Sequence, residues 1–239
     1  LASLKAFVIF CLASSFIYVI NDIIDIRADA VHPKKKFRPL PSGKISKQSA
    51  WITSIIIFLF LIALSFISPI EFIYFLAIFI LLNIIYSVYF KHIVILDVFS
   101  IAAGFTIRVL AGAAIINVPV SSWLVLTTMF ISLFLGVMKR HSELEQITES
   151  EKTPTRKVLA EYSLTFTNQM ATVAAAGVII CYALYTVSQR TVSVFGTENL
   201  IYTTPFVVFG IFRFMYLEKK KKKGENTTQI MLTDLPMIL

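Results

Sequence analysis

Seven apolar stretches, each long enough to cross a bilayer, constrain this chain more than any other feature. They run Leu4–Ile20, Ala50–Ile67, Ile70–Phe90, Ile93–Ile116, Ser121–Met138, Thr165–Val187 and Leu200–Tyr216. A spanning helix needs about 17–25 residues. Ser68-Pro69 separates the second run from the third, because proline stops a helix, and Asn117-Val118-Pro119 closes the fourth. Lipid offers no partner to backbone N–H and C=O groups, so runs of this length must be helical. The predicted class is all-α, a polytopic transmembrane helical bundle. Composition agrees, with 57% hydrophobic and 15% charged residues against about 25% charged in a soluble domain.

The formal net charge of +8 invites a nucleic-acid reading, but its distribution argues against one. Basic residues fill alternate connections. Asn21–Lys47 holds Arg27, Lys34, Lys35, Lys36, Arg38, Lys44 and Lys47, and Ser68–Glu71 holds none. Lys91 lies in the next turn, and Asn117–Val120 is again without a base. Lys139, Arg140, Lys152, Arg156 and Lys157 follow, then Arg190 alone, then the run Lys219–Lys223. Cytoplasmic loops carry the Lys/Arg excess, so these connections are predicted to face the cytoplasm across the cell membrane. The lysine run reads as a stop-transfer segment touching anionic lipid. No nucleic-acid partner is predicted, and self-association into a homo-oligomer is left open.

The same topology puts Leu1 on the outer side. One helix upstream is therefore expected to be missing, and the apolar tail Ile230–Leu239 reads as a last helix cut short. The chain 1–239 is read as a single transmembrane domain. Cys11 and Cys181 both fall in apolar runs and are read as packed thiols.

Chemistry enters with Asn21-Asp22-Ile23-Ile24-Asp25-Ile26-Arg27-Ala28-Asp29, directly after the first run. Asp22, Asp25 and Asp29 are spaced by three and four residues, so on a helix they share one face. Carboxylates clustered at a membrane edge are costly unless they hold something positive. Mg²⁺ is the predicted cofactor, because it takes oxygen ligands and bridges carboxylates to phosphates. Asp22, Asp25 and Asp29 are its candidate ligands and catalytic residues. The segment His32-Pro33-Lys34-Lys35-Lys36-Phe37-Arg38-Pro39-Leu40-Pro41-Ser42-Gly43-Lys44 follows. Bases beside metal-binding carboxylates suit a diphosphate, so Lys34 and Arg38 join Asn21 as candidate substrate contacts.

Two more corners carry polar residues. Tyr86-Ser87-Val88-Tyr89-Phe90-Lys91-His92 precedes Asp97, a carboxylate near the start of an apolar helix. Arg108 follows Asp97 by about three turns, roughly 16 Å along the axis, too far for a direct pair. It is read equally as a structural partner or a substrate contact. The third corner is Lys139-Arg140-His141-Ser142-Glu143-Leu144, where Lys139 and Glu143 or Arg140 and Glu143 could share a helical face. Tyr86, Lys91, Asp97, Lys139, Arg140 and Glu143 are therefore candidate substrate-binding residues. His32, His92 and His141 show no His-x-x-His spacing, so no zinc site is predicted.

The motif Asn21-Asp22-x-x-Asp25-x-x-x-Asp29, with Arg38-Pro39 and Gly43 in the basic loop, resembles the first aspartate-rich motif of the UbiA superfamily of intramembrane prenyltransferases. The resemblance covers essentially the whole chain. It implies the second to eighth helices of a nine-helix fold, hence about seven complete helices here. Within that superfamily the chain is most similar to the decaprenyl-phosphate phosphoribosyltransferase branch, through Tyr86-Ser87, Lys91-His92, Arg108-x-x-Ala111-Gly112 and Lys139-Arg140-x-x-Glu143-Leu144. That implies an Mg²⁺-dependent membrane transferase moving 5-phosphoribosyl from phosphoribosyl diphosphate to a polyprenyl phosphate lipid, whose product feeds cell-wall biosynthesis. Ordinary members carry a second Asp-x-x-x-Asp motif, whereas here Asp97 is followed four residues later by Ile101. The alternative is transfer of a prenyl group from a prenyl diphosphate to an aromatic or other acceptor. An ion-coupled transporter is disfavoured, because the polar groups lie at helix ends and no inverted repeat is visible.

Overall fold

The computed structural model describes residues 2–31, 35–150, 157–221 and 233–238. Lys34 and His32, two residues of the basic loop, lie outside them. The long helices are α1 (Ala2–Val31), α2 (Lys47–Ser65), α3 (Ile70–Val88), α4 (Leu96–Ile115), α5 (Ser122–Ser150) and α6 (Leu164–Val187). A short α7 (Gln189–Phe195) precedes α8 (Thr204–Lys221). Among the described residues, seven segments are long and apolar enough to span a membrane, as the hydropathy pattern requires. The chain divides into two compact units, Leu1–Ser100 with Thr106–Pro119, and Ile101–Phe105 with Val120–Leu239.

Local sequence sets the helix ends. Ser46 caps α2 by accepting the Ser49 N–H at 3.0 Å, and Ser163 caps α6 by accepting that of Phe166 at 3.1 Å. Pro69 stands at the start of α3. Gly196 ends α7 in the left-handed region at φ 68°, where a residue without Cβ is unstrained. Two helices outrun their apolar stretches. α1 continues through the aspartate motif to Val31, and α5 continues past Met138 to Ser150. Hydropathy reports the lipid-facing length, whereas the helix persists as long as polar side chains on its extension find partners.

In the first unit the core is built from α1, α2, α3 and α4. Ala6, Ile9, Ala13 and Ile17 form a buried stripe on α1, at helical spacing. The stripe packs on Leu61 of α2, Phe72, Leu76 and Phe79 of α3, and Ala111 and Ile115 of α4. Phe10 meets Phe72 and Phe79 edge-on, with centroids 5.8 and 5.2 Å apart. Apolar side chains such as Phe7, Ile55 and Phe60 stay exposed, as lipid contact permits. Cys11 corrects the expectation of two packed thiols: it is exposed, and only Cys181 is buried. The burial preference of cysteine comes from water-soluble cores and does not rank the faces of a helix that is apolar all round.

The second unit is held by small residues. Ala171, Ala174, Ala175 and Val178 of α6 are buried, which lets helices approach closely. A Cβ at Gly177 would lie 2.5 Å from the Phe130 ring of α5. Phe134 of α5 meets Phe214 of α8 with centroids 5.6 Å apart.

Candidate active site

The aspartate motif is helical, so its three carboxylates do share a face. Each meets a base within the first unit. One guanidinium nitrogen of Arg38 donates to Asp22 Oδ1 at 2.9 Å and to Asp29 Oδ2 at 2.8 Å. Lys91 Nζ donates to Asp25 Oδ1 at 2.6 Å. Lys35 Nζ lies 3.5 Å from Asp29 Oδ1. Asp29 is 3% exposed, so its charge depends on those two bases.

The loop that delivers Arg38 is folded by its own backbone. Arg38 N–H donates to Lys35 C=O at 2.9 Å, Ser42 N–H to Arg38 C=O at 3.0 Å, and Ile45 N–H to Pro39 C=O at 3.1 Å. Gly43 closes the turn at φ 76°, a conformation that costs glycine little. Leu40 is buried against Ile23 of α1 and Ala50 of α2. Arg38 therefore projects from a pinned turn.

Lys91 comes from the 3-10 turn Phe90–His92 between α3 and α4. Just after it, Ile95 adopts φ 71°, a strained setting for a β-branched residue. Asp97 follows in the first turn of α4, fully buried, where the positive helix end favours a carboxylate. Asn21 and Tyr86 are half-buried. Arg108 lies over the Phe79 ring, 4.7 Å from its centroid, a cation–π contact.

The sequence pointed to Lys34, outside the described residues, whereas Lys35 reaches Asp29. Lys35 stands among three adjacent lysines, and nothing in a run of like residues singles it out.

The third corner belongs to the second unit. Arg140 is buried and its Nη1 donates to Glu143 Oε2 at 2.8 Å. Lys139 is exposed. Arg140 with Glu143, one of the two pairings that spacing allowed, is formed as an ion pair.

Three aspartates are hard oxygen donors of the type Mg²⁺ takes, and Mg²⁺ binds through one or two carboxylates plus substrate phosphates rather than a full protein cage. The donor set fits that ion. The bases now neutralising the carboxylates are equally suited to phosphate oxygens. Such a cluster can exchange partners, carboxylates to a cation and bases to an anion, with little net change in local charge.

The comparisons with known proteins bear on the fold and the family. A decaprenyl-phosphate phosphoribosyltransferase from Mycolicibacterium smegmatis is 34% identical over 184 residues, covering 77% of this chain and 58% of that protein. The protein of the same description from Corynebacterium glutamicum is 32% identical over 182 residues, covering 75% and 54%. The chain thus spans somewhat over half the length of these relatives. A UbiA homolog from Archaeoglobus fulgidus, solved with GPP and Mg²⁺, shares the fold with a TM-score of 0.76 at 16% identity, covering 95% of this chain and 78% of that one. The sequence pattern of the UbiA prenyltransferase family matches residues 2–232, and the chain, an integral membrane protein, belongs to that family.

Proposed function

We propose that the protein transfers 5-phosphoribosyl from phosphoribosyl diphosphate to a polyprenyl phosphate, with Asp22, Asp25 and Asp29 holding Mg²⁺ on the cytoplasmic side of the cell membrane. The observation that carries this reading is the pairing of all three aspartates with bases. A magnesium diphosphate brings one group for each half of these pairs. Bound there, the ion would offset charge on the donor's phosphate oxygens. The similarity to proteins described as decaprenyl-phosphate phosphoribosyltransferases supports the choice of donor and lipid.

In this reading Arg38 and Lys91 turn from the aspartates to the diphosphate and stabilise it as it departs. The bond from the ribose anomeric carbon to the diphosphate breaks, and the leaving group takes the electron pair. An oxygen of the lipid phosphate forms the new bond. That phosphate is already anionic at neutral pH, so no strong general base is required. Asn21, Tyr86, Asp97, Lys139, Arg140 and Glu143 are assigned to substrate binding within the same proposal, on the family resemblance.

The lipid tail has a candidate berth in the first unit. A groove of about 250 Å³ is lined by Phe16 and Ile20 of α1, Trp51, Ile55 and Phe58 of α2, and Ile80 and Ile84 of α3. Ile20 immediately precedes the Asn21–Asp29 motif on α1.

The test supplies membranes containing the protein with Mg²⁺, polyprenyl phosphate and ribose-labelled phosphoribosyl diphosphate. Label in the lipid phase is expected. No labelled lipid, together with diphosphate release from a prenyl diphosphate and an acceptor, would replace this reading with ordinary prenyl transfer.

A further inference from the structure

Spacing rules gave no zinc site, because they looked for paired histidines. The second unit nevertheless gathers one histidine and two carboxylates. His141 and Glu145 are on α5 and Glu218 is on α8, and one potential ligand atom of each lies within 4.8 Å of the other two. Glu218 is 2% exposed, and among the described residues neither of its carboxylate oxygens has a hydrogen-bond partner. A buried carboxylate without a partner is among the costliest groups a fold can hold.

The hydrogen bonds around His141 fix which of its nitrogens faces the carboxylates. His141 Nδ1 is 2.8 Å from Thr167 Oγ1. That hydroxyl lies 3.0 Å from Ser163 C=O and 3.1 Å from Leu164 C=O. Carbonyls only accept, so the hydroxyl proton points to them, and the hydroxyl oxygen takes the Nδ1–H. In the neutral ring Nε2 then carries a lone pair. It faces Glu145 Oε1 at 3.5 Å, acceptor against acceptor. A histidine whose far nitrogen is anchored by a hydrogen bond is the usual arrangement behind a metal ligand.

We propose that His141 Nε2, Glu145 and Glu218 bind a divalent first-row transition-metal ion that ties α5 to α8. Imidazole selects such ions over Mg²⁺. Metal–ligand bonds of about 2.0–2.1 Å in a tetrahedral site set neighbouring ligand atoms about 3.4 Å apart, and the His141–Glu145 pair is already at that separation. Three protein ligands leave a position for water. The site shares no residue with the aspartate cluster, so it stands whether or not the proposed transfer reaction does.

The test uses the purified protein in lipid nanodiscs, stripped with chelator and then given Zn²⁺ in the presence of excess Mg²⁺ to occupy hard oxygen sites. Metal content after dialysis and thermal stability are both read. The expected result is about one Zn²⁺ per chain with a raised Tm. Glu218→Gln and Glu145→Gln should lose the ion while eluting as the wild type does. Thr167→Val removes the anchor of His141 and should weaken Zn²⁺ binding about 10–100-fold. A wild type that retains no Zn²⁺ would overturn the proposal, leaving an imidazolium–carboxylate pair or a protonated Glu218. Undiminished Zn²⁺ in both glutamine variants would overturn it equally.

Discussion

Two acidic clusters, one in each unit, hold their charge in opposite ways. In the first, Asp22, Asp25 and Asp29 each face Arg38, Lys35 or Lys91, so the cluster is neutralised from within. In the second, Glu145 and Glu218 gather around a histidine nitrogen, and Glu218 lacks any hydrogen-bond partner among the described residues. A self-neutralised cluster can trade its internal pairs for a ligand bearing both signs, such as a metal diphosphate. An acceptor-only cluster is completed by a cation alone. Buried acidity therefore does not name a ligand until the partners of each oxygen are known.

Breaking one partner in each unit should move stability in opposite directions. Arg38→Ala leaves Asp29, which is 3% exposed, with only the longer contact to Lys35, and should cost about 2 kcal/mol, read as a lowered Tm. Adding Asp29→Asn should restore much of that stability without restoring turnover, since in the proposed reaction Arg38 also serves the leaving diphosphate. Loss of turnover on Arg38→Ala should be about 10²–10³-fold. In the presence of chelator, Glu218→Gln should instead raise stability by about 1–3 kcal/mol, because a neutral amide replaces a buried carboxylate that has no hydrogen-bond partner among the described residues. A destabilised Glu218→Gln protein under those conditions would erase the contrast between the units.

Smaller effects sharpen the same picture. Gly177→Ala drives a methyl into the Phe130 ring, 2.5 Å from the added carbon, and should cost about 1–3 kcal/mol by overpacking. The Tm should fall without any change in the metal dependence of activity. Lys35→Ala removes a longer contact, 3.5 Å from Asp29 with the lysine side chain 27% exposed. It should cost under about 1 kcal/mol and raise the KM for the donor more than it lowers kcat.

Much of this was legible in the chain itself. Apolar runs and the Pro69 and Pro119 breaks located the spanning helices, because lipid forces regular backbone wherever the run is long enough. The three-and-four spacing of the aspartates foretold a common face. Partner choice was harder to read. Nothing in Lys34-Lys35-Lys36 marks Lys35 as the base on Asp29, and nothing links Asp25 to Lys91, sixty-six residues away. Those pairs depend on where the Gly43 turn and the Phe90–His92 turn leave the chain. The His141–Glu145–Glu218 cluster was hidden for the same reason. Its local part is an i, i+4 pair on α5, and Glu218 joins only when α8 packs beside it.

The central claim is that the aspartate cluster exchanges its bases for a magnesium diphosphate. The most direct measurement follows transfer of ribose-labelled phosphoribosyl diphosphate into lipid, with and without Mg²⁺, in the wild type and in Asp25→Asn. The account predicts labelled lipid from the wild type only when Mg²⁺ is present, and none from an Asp25→Asn protein that melts as a folded chain. Labelled lipid formed without Mg²⁺, or formed at full rate by Asp25→Asn, would contradict it.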